Sequence, residues 1–130
     1  MSVEQNKAVM RRMFELLNLG DNDLFFKYID ENYADDYIFH GAIYAGFERG
    51  PEGMKKCYTH FMSTSTKTDR HYSIEDMFGE GDKVVTRYIF RYTDAGKSGA
   101  GQSINITHFA GGKIADEWDI SEPLPESVPT

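Results

Sequence analysis

Two carboxylates two residues apart, Glu117 and Asp119, are the pair in this chain best spaced for acid/base chemistry. They fall in the run Gln102-Ser-Ile-Asn-Ile-Thr-His-Phe-Ala-Gly-Gly-Lys-Ile-Ala-Asp-Glu-Trp-Asp-Ile-Ser-Glu122. Alternating stretches on either side of Gly111-Gly112 predict a β-hairpin. Residues i and i+2 of a strand point to the same face, so both acids point one way. In a semi-enclosed apolar cavity, lost hydration and mutual repulsion raise the pKa of at least one of them. That leaves a group able to give and take a proton. Ser103, Asn105 and Thr107 belong to the same polar set, while Ile104, Ile106, Ile114, Trp118 and Ile120 form the apolar one. Two registers are open. A three-residue turn with a bulge and positive φ at Gly112 pairs Phe109 with Lys113, Asn105 with Glu117 and Ser103 with Asp119. A plain two-residue Gly-Gly turn slips the register by one and brings His108 onto the carboxylate face. A polar face turned to water fits the alternation equally well.

Other chemistries find less support. His40, His60, His71 and His108 show no i, i+4 pair and no Cys/His spacing, which argues against a zinc site, and no metal is expected. No Gly-x-Ser-x-Gly elbow occurs. The glycine-rich stretch Asp94 to Gly101 lacks Walker spacing and is expected to be a flexible strand connector rather than a phosphate loop. Asn105-Ile-Thr107 matches a glycosylation pattern but lies in a predicted strand. Asp35 and Asp36 are adjacent, so on a strand they point apart, a poor geometry for paired acids. His40, at the end of that strand, is a candidate to reach a pocket.

The elements that position these groups read clearly along the chain. Val3 to Leu19 has helical periodicity, with Val9, Met10, Met13, Phe14, Leu16 and Leu17 on one face. Gly20 stops it, and Asp21 or Asn22 caps a second helix carrying Leu24, Phe25, Tyr28 and Ile29. Gly50-Pro51-Glu52 opens a third, with Met54, Cys57, Tyr58, Phe61 and Met62 on its apolar face. Cys57 reads as packing there rather than as a nucleophile. Long strands follow. One alternates Tyr72, Ile74 and Phe78 against His71, Ser73 and Glu75, and the next, Lys83 to Tyr92, carries bulk on both faces. Helices first and an antiparallel meander second is an α+β layout in one domain, residues 1–122, followed by a Pro-rich tail, 123–130.

Composition bounds the function. With 130 residues, 40% hydrophobic and 14% aromatic, the chain can bury a sizeable core. A net charge of −7 argues against nucleic acid and anionic membrane as partners. A single cysteine fits a reducing compartment. The first seven residues lack the apolar core of a signal peptide, and no run approaches the ~20 apolar residues of a membrane helix, so a cytoplasmic location is expected.

Three pieces, Asn18-Leu-Gly-Asp21, Gly50-Pro-Glu-Gly53 and Gly112-Lys-Ile through Trp118-Asp119, carry a resemblance that spans roughly Asn6 to Glu122. The chain resembles the nuclear-transport-factor-two-like (cystatin-like) superfamily and, within it, the SnoaL-like polyketide cyclases. The resemblance implies a cone-shaped α+β barrel, three N-terminal helices packed on a curved, mostly antiparallel sheet. It places the cyclases' acid/base aspartate on Asp119, their nearby strand histidine on Glu117, and the Gln and His of the preceding strand on Ser103 and Asn105. It also selects the bulged register, turns the polar face inward and leaves His108 outside. The expected function is cofactor-free acid/base catalysis on a hydrophobic, carbonyl-bearing small molecule. Asp119 and Glu117 are its catalytic pair. Asn105, Ser103, Thr107, Phe14, Phe25, Tyr58, Phe61 and His40 contact the substrate. Competing expectations are a non-catalytic ligand binder or dimeric scaffold of the same fold, and a ketosteroid-isomerase-like isomerase or dehydratase. For the last, the family's tyrosine, general base and oxyanion-hole aspartate fall on Met13, Gly41 and Thr107, with Tyr33, Tyr37 or Tyr44 as substitutes. A homodimer through the sheet face bearing Ile104, Ile106, Trp118 and Ile120 is expected.

Overall fold

Ser2 starts the first helix: its hydroxyl accepts from the Gln5 N–H at 3.1 Å, and the Gln5 side chain returns the bond to the Ser2 N–H. The computed structural model describes residues 2–41 and 44–125. Its elements run α1 (Val3–Leu19), α2 (Asn22–Asn32), β1 (Tyr33–His40), α3 (Gly50–Thr64), β2 (Thr68–Glu80), β3 (Lys83–Asp94), β4 (Lys97–Ala110) and β5 (Lys113–Leu124). Gly20, at φ 71°, closes α1, and Asp21 is the residue that caps α2, accepting from the Leu24 N–H at 3.1 Å. Asn18 explains the rest of that motif. Its side chain bonds the Tyr72 backbone at both N–H (2.7 Å) and C=O (2.9 Å), docking α1 on β2 as a strand would.

The glycines of Gly50-Pro-Glu-Gly53 are there for close approach. A Cβ on Gly50 would collide with the Asp35 carbonyl, and one on Gly53 with the Glu48 carbonyl. The start of α3 is thereby pressed onto β1, and Arg49 Nε ties it further to the Asp36 carbonyl at 3.1 Å.

The five strands form one sheet in the order β1-β5-β4-β3-β2. All neighbours are antiparallel except β1 and β5, which are parallel, and the sheet stays open at β1 and β2. The expected α+β fold of three helices on a mostly antiparallel sheet is the observed one. Met10, Phe14, Phe25, Ile29, Tyr33, Tyr37, Val84, Phe109 and Ile114 make the core between helices and sheet. Burial of each such side chain is worth about 1.5–3 kcal/mol. Among the described residues, no helix is long and apolar enough to cross a membrane.

Three local expectations fail for local reasons. Lys97 to Gly101 is strand rather than flexible connector, because Ala95 and Gly96 (φ 51° and 78°) make a two-residue turn and Asp94 pairs directly with Lys97. Phe78 points away from the core because the β2–β3 register shifts between Ile74 and Asp76, which puts Met77 against the core instead. The ladder also crosses the expected domain boundary: Pro123 and Leu124 belong to β5, opposite Gly101 and Ala100. Residues 126–130 of the expected tail lie outside the described residues.

Candidate functional site

The hairpin between β4 and β5 resolves the choice of register in a third way. Gly111 and Gly112 both have positive φ (58° and 78°) and form a two-residue turn, with Ala110 opposite Lys113 and Phe109 opposite Ile114. The bulge lies past the turn, where Ala115 is skipped and His108 pairs with Asp116. One extra residue reverses the facing of everything before it. Ile114 therefore enters the core, correcting its grouping with Trp118 and Ile120, while Glu117 and Asp119 still face the helices. The cross-strand pairs are Thr107 with Glu117, Asn105 with Asp119 and Ser103 with Ser121, two residues along from the bulged-register pairs expected.

Glu117 is only 2% exposed and is held by four side chains. Tyr37 and Tyr33 donate to Oε1 at 2.9 and 3.2 Å, and Asn105 Nδ2 and Thr107 Oγ1 lie 3.1 and 3.2 Å from Oε2. Burial pushes its carboxyl above the ordinary range, against the opposing pull of those hydrogen bonds.

Asp119 is half-buried and reaches the open side of the same floor. Its Oδ2 accepts from Tyr88 at 3.0 Å and from Asn105 Nδ2 at 3.3 Å, and Oδ1 accepts from Ser121 at 3.2 Å. Burial raises this carboxyl too, partly offset by its hydrogen bonds, with Tyr88 the foremost donor. Asn105 thus bridges the two acids with the two hydrogens of one amide. Its carbonyl accepts from Thr107 at 2.6 Å, so both ends of the amide are already engaged within the floor.

Above this floor lies a cavity of about 280 Å³. The four aromatics expected to wall it, Phe14, Phe25, Tyr58 and Phe61, all do so. Ser103, Asn105, Glu117 and Asp119 are at its base, with Ser103 hydrogen-bonded to Ser121. Thr107 lies beneath, fully buried, and touches Glu117 and Asn105 rather than the cavity. Tyr72, Tyr88 and Phe90 complete a ring cluster with Phe14: centroids are 4.8 Å apart for Phe14–Tyr88 and 4.7 Å for Tyr72–Phe90. Cys57 lines the wall as a buried thiol pushed up to about 11 by burial, which suits packing and not nucleophilic work. Sequence reasoning missed Tyr88 and Ser121 as partners of Asp119. Both had a signal: Tyr88 is an inward position of an alternating strand, and Ser121 continues the i, i+2 series of Glu117 and Asp119.

His40 corrects the expected set. It pairs with Trp118 on the opposite face of the sheet, its ring stacked on the indole at 4.4 Å and its Nε2 3.1 Å from Asp116 Oδ2. It does not join the cavity above Glu117 and Asp119. On that outer face His108 sits between two carboxylates, Nδ1 2.7 Å from Asp116 and Nε2 2.9 Å from Asp82. The bulge at Ala115 is the physical reason that His108 stays outside despite a two-residue turn. Among the described residues no group of three or more His, Cys, Asp or Glu is placed to hold a metal ion.

Comparison with protein families matches residues 10–117 to the family described as "SnoaL-like domain". Among solved structures, TsrD from Streptomyces laurentii is 23% identical with a TM-score of 0.76, covering 94% of this chain and 91% of that one. IdmH from Streptomyces antibioticus, provisionally described as a polyketide cyclase, is 22% identical with a TM-score of 0.70 (89% and 91% covered). A Bacillus cereus protein with the same provisional description is 25% identical with a TM-score of 0.70 (88% and 72% covered). No curated protein matches the chain.

Proposed function

Because this chain belongs to the family of SnoaL-like domains, we propose that it performs cyclase-type acid/base chemistry on a hydrophobic, carbonyl-bearing small molecule. The observation that carries the reading is Asp119: a half-buried carboxylate on an aromatic-walled cavity, raised by burial and oriented by Tyr88, Asn105 and Ser121. The provisional descriptions of IdmH and the Bacillus cereus protein support it.

Asp119 takes the proton of a C–H bond next to the substrate's carbonyl. The C–H electrons pass into the enolate and an O–H bond forms on the carboxyl. The substrate's own conjugation spreads the enolate charge, so few protein groups are needed. When the enolate carbon closes a ring on a second carbonyl of the substrate, the resulting alkoxide takes the proton back, and Asp119 is regenerated. Among the described residues lining the cavity none is Lys, Arg or His, which suits an uncharged substrate over a phosphorylated or carboxylate-bearing one. Ser103, paired with Ser121 at the cavity floor, is the expected carbonyl contact, while Asn105 acts on the acids. No cofactor enters this scheme.

Asp119→Asn is the direct test. The amide is isosteric, keeps acceptors and donors for its neighbours, and cannot cycle a proton. It is expected to fold and to lose turnover of a polyketone substrate, and retained turnover sinks the assignment. One observation favours a non-catalytic ligand binder instead: the floor's polar side chains are already bonded to one another. Ligands that raise the melting temperature yet are never converted would support that second reading. Pairing of two copies through the exposed Ile104, Ile106, Trp118 and Ile120 is part of the proposal.

A further inference from the structure

Hydrogen atoms can be counted around Glu117, and the count is informative. Asn105 must turn its amide nitrogen toward Glu117 Oε2 and Asp119 Oδ2, because its carbonyl oxygen there would face two acid oxygens. Its carbonyl oxygen then faces Thr107 Oγ1 at 2.6 Å, a separation that requires a hydrogen between them. Thr107 has one hydroxyl hydrogen, and this contact uses it. Thr107 Oγ1 is also 3.2 Å from Glu117 Oε2, where it can now only accept. The reverse assignment, with the threonine donating to Glu117, leaves two lone-pair oxygens facing each other at 2.6 Å and is worse. On the other oxygen, Oε1 accepts from both Tyr33 and Tyr37.

We infer that Glu117 is a carboxylic acid with its proton on Oε2, donated to Thr107, and that Asp119 carries the only negative charge among the described residues of the cavity floor. Every hydrogen-bonding site then closes: Oε1 accepts twice, Oε2 accepts from Asn105 and donates to Thr107, and Asn105 spends both amide hydrogens. An ionised Glu117 would be an unpaired charge. The groups facing it are Tyr33 and Tyr37 from β1, Tyr28 from α2, Tyr44 from the segment between β1 and α3, Thr107 and Asn105 from β4, and Asp119 from β5, with no cation among them. Burial acts in the same direction, disfavouring the charged form.

Glu117 is thereby a positioning residue. With Thr107 it fixes the Asn105 amide, and Asn105 holds Asp119. The inference goes beyond the proposed reaction, since it is true or false of the resting protein whether or not Asp119 turns over a substrate.

The test uses the full chain labelled with ¹³C at the glutamate side-chain carboxyl. At pH 7 one resonance is expected at the chemical shift of a carboxylic acid, absent from the Glu117→Gln protein and moved in Tyr37→Phe, which removes a donor to Oε1. Tyr37→Phe makes the assignment if Glu117→Gln does not fold. Finding every glutamate at the carboxylate position at pH 7 overturns the inference. So does an acid resonance that neither substitution touches. A null result for turnover in Asp119→Asn leaves this measurement unaffected, so the two ideas fail separately.

Discussion

Removing the Tyr88 hydroxyl should move the ionisation of Asp119 upward without disturbing the cavity. In Tyr88→Phe the ring stays, and with it the packing against Phe14 (centroids 4.8 Å) and Tyr72 (5.9 Å). What is lost is the hydroxyl, which donates to Asp119 Oδ2 at 3.0 Å and is also hydrogen-bonded with Ser103. A hydrogen bond to a charged acceptor is worth about 1.5–3 kcal/mol. At 1.36 kcal/mol per unit, that is an upward shift of about 1–2 pKa units. Asn105 and Ser121 continue to bond the carboxylate, so the lower half of that range is expected. The assay is a ¹³C titration of the aspartate carboxyls, assigned with Asp119→Asn. The acid limb of the pH–rate profile should shift by the same amount on any substrate that is turned over. A shift below a few tenths of a unit, or a downward one, would show that Tyr88 does not stabilise the ionised acid, and the proposed orientation of Asp119 would fail with it.

Four further outcomes follow from the geometry. Asp119 has a raised pKa in the fold, so its contribution to stability is present below the unfolded value near ~3.9 and is lost as pH rises through the folded value. Asp119→Asn should therefore melt higher than the parent at pH 7, with the gap closing toward pH 4. A gap of constant size would contradict the buried charge. Thr86 is fully buried and its hydroxyl has no partner among the described residues. Thr86→Val should stabilise by about 1 kcal/mol, and a lower melting temperature would refute it. His108 has a raised pKa, chiefly from its hydrogen bond with Asp116. Asp116 has a lowered one, burial being outweighed by its bonds with His108 and His40. Their mutual stabilisation is present between about pH 4 and 6.5, fading above as His108 deprotonates and below as Asp116 protonates. For so exposed a cluster it is worth about 1 kcal/mol or less. The melting-temperature deficit of His108→Ala should be largest in that window, and a pH-independent deficit would speak against it. Ile120 is 78% exposed on the proposed pairing face, so Ile120→Lys should shift a dimer toward monomer in light scattering. A monomeric parent protein would refute the pairing outright.

How legible the site was in the sequence depended on whether a signal was local. The helix limits were readable because each is set by a residue at the spot: Gly20 by its left-handed backbone, Asp21 by its side-chain oxygen, Pro51 by its fixed φ. The carboxylate pair was readable because strand facing has a period of two. The partners of those acids were not, since Tyr33 and Tyr37 meet Glu117 across 84 and 80 positions respectively, through a parallel β1–β5 pairing that no alternation pattern encodes. The bulge at Ala115 was also silent. Alanine is tolerated in either backbone state, so the residue that decides the facing of Ile114, Asp116 and His108 carries no mark of doing so. Thr107 was expected to meet a substrate and instead meets Glu117 and Asn105, because a polar residue on an inward face looks the same in sequence whichever neighbour satisfies it.

The place of β5 between β1 and β4 has a kinetic consequence. The β2–β3–β4 meander can zip from its own turns, whereas β1, made early, pairs among the described residues with β5 alone, more than 70 residues later in the chain. Closing so long a loop belongs late in folding, where contacts distant in sequence are assembled at the greatest entropic cost. Until β5 slots in, Tyr33 and Tyr37 have no carboxyl to bond and Glu117 remains in water, free to ionise. Acid taken up from solvent, secondary structure completed and site assembled become a single event. A refolding trace followed by pH indicator dye should register proton uptake in the last phase, in step with the docking of that final strand.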